Sequence, residues 1–65
     1  MAGAADPKPK ILVIDDDEMF CDIMYRYLNK MDFAAHYEQS LTSGMEALGG
    51  LDFDIVLLDV DLPDG

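Results

Sequence analysis

The stretch Asp54-Ile55-Val56-Leu57-Leu58-Asp59-Val60-Asp61-Leu62-Pro63-Asp64-Gly65 decides the fold of this chain. Its apolar run, Ile55 to Leu58, is too short for a helix. Turn-forming residues flank it, and it reads as a strand buried on both faces of a parallel sheet. Asp59 stands at the carboxyl end of that strand. Asp61 follows two residues later, and Pro63-Asp64-Gly65 signals a turn. In parallel α/β sheets, ligands bind beyond the carboxyl ends of the strands. A carboxylate there is poorly placed for packing and well placed for chemistry.

The same arrangement occurs earlier. Ile11-Leu12-Val13-Ile14 is a second buried-strand run, opened by Lys10, and it ends in Asp15-Asp16-Asp17. Asp59 lies 44 positions after Asp15, which leaves room for a helix, a strand and a second helix. Asp16 or Asp17 can cap the first helix, with Glu18 in its first turn, where a negative charge is favourable. Phe20, Ile23, Met24, Tyr27, Leu28 and Met31 recur at helical spacing and predict one continuous apolar stripe ending near Met31. Phe33 to Glu38 reads as a short second strand. His36, with no second histidine or cysteine at ligand spacing, reads there as structural. Ser40 or Thr42 can cap a short second helix over Ser43 to Leu48, which Gly49-Gly50 ends. Asp52 and Asp54 bracket the entry to the third strand and read as solvated loop positions.

Alternating strands and helices predict an α/β fold with a parallel sheet and right-handed crossovers. The first and third strands are the most apolar, and the second is more polar and belongs at an edge. The expected order is 2-1-3 (β-α-β-α-β), with one helix on each face. Side by side and parallel, strands one and three bring Asp15, Asp16 and Asp59 to one edge.

Bulk composition narrows the classes. A chain of 65 residues makes one domain at most, and it buries only about 60% of its unfolded surface, so its stability is marginal without a partner. Fourteen acids against four bases give a net charge of −10, which argues against nucleic acid or an anionic membrane as partner. It fits a cation site, a basic partner or plain solubility. The lone cysteine, Cys21, excludes an internal disulfide and fits a reducing compartment. There is neither an 18-residue apolar span nor a signal-peptide pattern, so the expected location is cytoplasmic. Residues 1–9, with small residues and two prolines, read as a loose, disordered tail.

Three carboxylates meeting at one edge repel one another, by about 4 kcal/mol per pair about 4 Å apart at an effective dielectric of about 20. A hard divalent cation relieves this, and a small oxygen-only site with room for water suits Mg²⁺. A carboxylate beside Mg²⁺ can act as nucleophile toward a phosphoryl group, giving an aspartyl phosphate.

The strings ILVIDDDE and DIVLLDVDLPDG resemble the ends of the first and third strands in the receiver domain of two-component response regulators. The resemblance covers residues 10 to 65 and includes the acidic pair, the strand-ending Asp and the proline four residues on. It implies a flavodoxin-like fold and an Mg²⁺-dependent signalling module rather than an enzyme. It implies Asp59 as phosphoacceptor and Asp15, Asp16 and Asp59 around Mg²⁺, with the backbone carbonyl of Asp61 as a further ligand. The implied partner is a sensor histidine kinase or phosphotransfer protein, and an attached transcription-regulating domain is common in such proteins. A whole receiver would add two strands and three helices, and with them a Ser or Thr, a Lys and a switch aromatic. Residues 10–65 therefore read as the N-terminal half of a receiver, a fragment of a longer response regulator. The bare edge of strand three then invites pairing with a second copy, most simply a two-fold dimer with a six-stranded sheet.

Other readings are weighed against this one. An inactive structural half-domain that self-associates would keep the acidic cluster and do no chemistry. Asp59-Val60-Asp61 also resembles the first motif of haloacid-dehalogenase-type phosphatases, but that motif opens the first strand and leaves Asp15 and Asp16 unused. A calcium loop fails on spacing, because Pro63 occupies the position that needs an acid and no closing Glu follows.

Overall fold

The structure, a computed structural model, describes residues 8–59, 62 and 63. Five elements follow in order: β1 (Lys10–Ile14), α1 (Glu18–Lys30), β2 (Ala34–Glu38), α2 (Leu41–Gly50) and β3 (Ile55–Leu58). The three strands form one parallel sheet in the order β2-β1-β3. This is the flavodoxin-like α/β arrangement that the alternation of strands and helices predicts. Most of the expected tail lies outside the described residues; the Pro9 carbonyl accepts a hydrogen bond from Ala34 N–H at 2.8 Å.

β1 is the centre of the molecule. Its alternate side chains feed two cores, which is why an unbroken apolar run is needed there. Ile11 and Val13 join Leu28 of α1, with Met24, Phe33 and Ala35 packed alongside. Leu12 and Ile14 join Leu62, with Leu41, Ala47 and Phe53 around them. One helix therefore covers each face. Leu62, from the loop after β3, is buried under the α2 side, a placement the sequence reading did not single out.

Asp17 caps α1, its carboxylate accepting from Phe20 N–H at 3.1 Å. The other end closes in a double turn: Phe33 N–H reaches the Leu28 carbonyl and Asp32 N–H the Asn29 carbonyl. Asp32 takes the left-handed conformation, φ 68°, that this helix ending requires. The Asn29 side chain then accepts from Ala35 N–H, tying the helix end to β2. Ser40 caps α2 by accepting from Ser43 N–H at 3.1 Å.

Three sequence expectations are corrected. α2 runs from Leu41 through Gly50 and is capped at Leu51, so Gly49-Gly50 does not end it; neither glycine has positive φ, and Leu51 N–H still reaches the Ala47 carbonyl. The α1 stripe is not a single buried face. Cys21, Met24 and Leu28 turn inward, while Phe20, Ile23, Tyr27 and Met31 are exposed. β3 is not buried on both faces: all four of its residues are exposed, because neither helix touches it and β1 is its only strand neighbour among the described residues. An apolar run reports what a strand can bury, and neighbours decide whether it does.

Candidate functional site

The polypeptide leaves β1 and β3 at the same edge of the sheet, since the two are adjacent and parallel with Ile14 beside Leu58. The next residues are Asp15 and Asp59. The pairing continues one step further, with Asp59 N–H donating to the Ile14 carbonyl at 2.9 Å. Backbone hydrogen bonds thereby help to set both aspartates. At the far end of the strands, Asp54 closes the pair. Its carboxylate accepts from Lys10 N–H, and its N–H donates to the Lys10 carbonyl, both at 2.8 Å. Asp54 is a strand clamp, a role beyond the loop solvation expected of it.

Asp15, Asp16 and Asp59 come together. Each offers a carboxylate oxygen, and these oxygens lie within 4.8 Å of one another. Asp15 and Asp59 are half-buried and Asp16 is exposed. Asp15 is held from several sides. Its N–H donates to the Glu38 carbonyl of β2 at 3.1 Å, and its Oδ1 accepts from Asp17 N–H at 3.0 Å. Its carbonyl accepts from the Cys21 thiol at 3.2 Å. Cys21 is fully buried, and that burial, with the negative charge of Asp15 next, pushes its thiol pKa up. Cys21 was read from sequence only for its redox meaning. The signal that could have found it here is its position one helical turn after the cap, facing the strand end.

Asp61, expected to contribute its backbone carbonyl, lies outside the described residues. Asp17 serves as the helix cap. His36 stands away from the cluster, its Nε2 2.7 Å from Glu38 Oε2 and its ring tilted against Phe53. A groove of about 350 Å³ opens beside the cluster, lined by Phe20, Val56, Leu57 and Leu58 together with Asp15 and Asp59. Among the described residues no helix is long and apolar enough to cross a membrane.

An all-oxygen set of three carboxylates, one exposed and two half-buried, is the donor chemistry of a hard cation that keeps part of its water. It lacks the sulfur and nitrogen donors that favour zinc or copper.

The family model described as "Response regulator receiver domain" matches residues 11–65. The chain is 29% identical over 55 residues to a protein named Protein PetR from Rhodobacter capsulatus, across 85% of this chain and 23% of that one. The chain thus spans about a quarter of the length of this relative. No solved structure matches. With its parallel 2-1-3 sheet and its acidic cluster at the strand ends, the chain belongs to the response regulator receiver domain family.

Proposed function

We propose that this chain is a phosphoacceptor module of a two-component relay, with Asp59 as the residue phosphorylated. The observation that carries the reading is the convergence of three carboxylates, from strand ends 44 residues apart, at the ligand-binding edge of a parallel sheet. The donor is a phosphohistidine on a sensor kinase or phosphotransfer protein. An Asp59 carboxylate oxygen attacks phosphorus. The new P–O bond forms as the donor's P–N bond breaks, and the electron pair returns to the imidazole. Asp15 and Asp16, with Asp59 itself and the carbonyl of Asp61, would hold Mg²⁺. When bound, the ion supplies positive charge against the phosphoryl oxygens. The hydrogen bonds of Asp15 to Glu38, Asp17 and Cys21 hold the loop in one geometry, so little reorganisation is left for the transfer. The module acts once per phosphorylation as a signalling element in the cytoplasm.

Intact mass after incubation with Mg²⁺ and a small-molecule phosphodonor tests this. The expected result is a gain of one phosphoryl group, absent without Mg²⁺ and absent in Asp59→Asn. No gain, or an equal gain in Asp59→Asn, overturns it. A phosphatase of the haloacid-dehalogenase type would instead turn over a phosphomonoester, and it would leave the shared placement of Asp15 and Asp16 without a purpose.

A second reading rests on β3. Its edge carries no charge and no proline among Ile55 to Leu58, and all four side chains are exposed. Such an edge pairs with a second copy through antiparallel β3 strands. This association is independent of the acidic cluster and holds equally for an inactive structural half-domain.

A further inference from the structure

Asp15 is gripped through its main chain as well as its carboxylate, and one of those grips comes from a side chain. The Cys21 thiol, fully buried in the first turns of α1, donates to the Asp15 carbonyl at 3.2 Å. That carbonyl belongs to the peptide joining Asp15 to Asp16. A peptide unit is planar, so holding its oxygen sets the direction in which the chain continues to Asp16. Cys21 itself is anchored: its N–H donates to the Asp17 carbonyl at 3.0 Å, and Asp17 caps the helix while its own N–H donates to Asp15 Oδ1. Asp15, Asp17 and Cys21 thus form a closed loop of hydrogen bonds, with Asp16 carried between them. The other two bonds use backbone N–H donors, one of them to the Asp15 carboxylate. The thiol is the one side-chain donor in the loop.

We propose that Cys21 is a positioning residue for the cation site, holding the Asp15–Asp16 peptide so that both carboxylates face Asp59. This deepens the phosphoacceptor reading and rests on it. A thiol has one hydrogen to give, and burial shields the contact from competing water. A partner that stands behind a ligand acts through the ligand's orientation, so its removal shows in affinity before it shows in fold.

The test is a titration with MgCl₂ on the intact chain, followed through amide NMR shifts of Asp16 and Asp59. Three Cys21 variants and one control variant are compared with the wild type. Cys21→Ala and Cys21→Val both remove the donor, and Val keeps the volume filled should Ala leave the chain too unstable to fold. Cys21→Ser keeps a donor. Ile11→Val, at the opposite end of β1, is the control for lost core packing. Removal of the donor is expected to weaken Mg²⁺ binding about three- to tenfold, at or below the low end of what loss of such a partner does. Cys21→Ser is expected to bind within about twofold of wild type, since a hydroxyl donor replaces the thiol. Ile11→Val is expected to lower stability and leave the affinity unchanged. Equal affinity in wild type, Cys21→Ala and Cys21→Val overturns the role of Cys21. So does an unrescued loss in Cys21→Ser, or an equal loss in Ile11→Val. A wild-type chain whose Asp16 and Asp59 amides do not respond to Mg²⁺ overturns the metal site as well, and that failure is read from the wild-type titration alone.

Discussion

Asp16 is the exposed member of the trio, and Asp15 and Asp59 are half-buried beside it. With no cation bound, the three negative charges oppose folding. Replacing Asp16 by Asn removes one of them and is expected to raise the stability of the metal-free chain by about 0.5–1 kcal/mol, with water screening the exposed site. The same change is expected to abolish stabilisation by Mg²⁺. In the wild type that stabilisation is expected to be about 2.7 kcal/mol when the ion is present at about 100 times its Kd. Thermal melts of both proteins, with Mg²⁺ and with a chelator, check the crossing of signs. Asp32 makes a prediction of another kind. It is the one described non-glycine residue with positive φ, and it sits where the α1 ending demands that conformation. Asp32→Gly is expected to stabilise the chain by about 0.5 kcal/mol, and Asp32→Ala to destabilise it by about 1 kcal/mol, a difference in sign measurable by urea unfolding. The acidic residues of the site were legible in the sequence because they interrupt apolar strands. Cys21 was not, because a single buried thiol looks the same whether it fills space or donates.

The second helix shows where local rules stop. Two glycines at its end suggest a stop before them, and the helix takes in both, neither with a positive φ. Gly44, in its middle, has the tighter requirement. It is buried against β1, and a Cβ there would collide with the Ile14 side chain, whose Cγ1 would lie 2.9 Å away. Alanine is the better helix former by about 1 kcal/mol, but overpacking a filled core costs about 1–3 kcal/mol. Ile14 is itself fully enclosed and has nowhere to move. Gly44→Ala is therefore expected to destabilise the chain by about 1–2 kcal/mol net. Part of the loss should return in the double variant Gly44→Ala with Ile14→Val, which shortens the opposing side chain. Additive effects of the two substitutions in chemical denaturation would refute that contact. The sequence signalled a glycine in a helix, but only the packing of α2 on β1 says why it is there. The first helix carries the complementary lesson. Periodicity marked Phe20, Ile23, Tyr27 and Met31 as apolar, and the structure leaves them exposed because α1 packs on β1 and β2 without reaching β3.

At the scale of the whole molecule, the two edge strands differ: among the described residues β2 is flanked by both helices, whereas β3 is held by β1 alone. The uncharged β3 edge is expected to make the chain self-associate at high micromolar concentration, seen as a concentration-dependent mass in sedimentation. Leu57→Lys is expected to return it to a monomer, since a charged edge strand resists pairing. A folded wild-type monomer at those concentrations would refute the pairing. The sequence by itself determined the five elements, their parallel 2-1-3 order and the meeting of Asp15, Asp16 and Asp59. All of these follow from period, length and chain direction, which are local properties or simple consequences of right-handed crossover. Tertiary structure alone decided which apolar residues are buried, where α2 ends, why Gly44 is glycine and what the Cys21 thiol touches. Those depend on which surfaces meet, and a linear pattern carries no record of the neighbour on the other side.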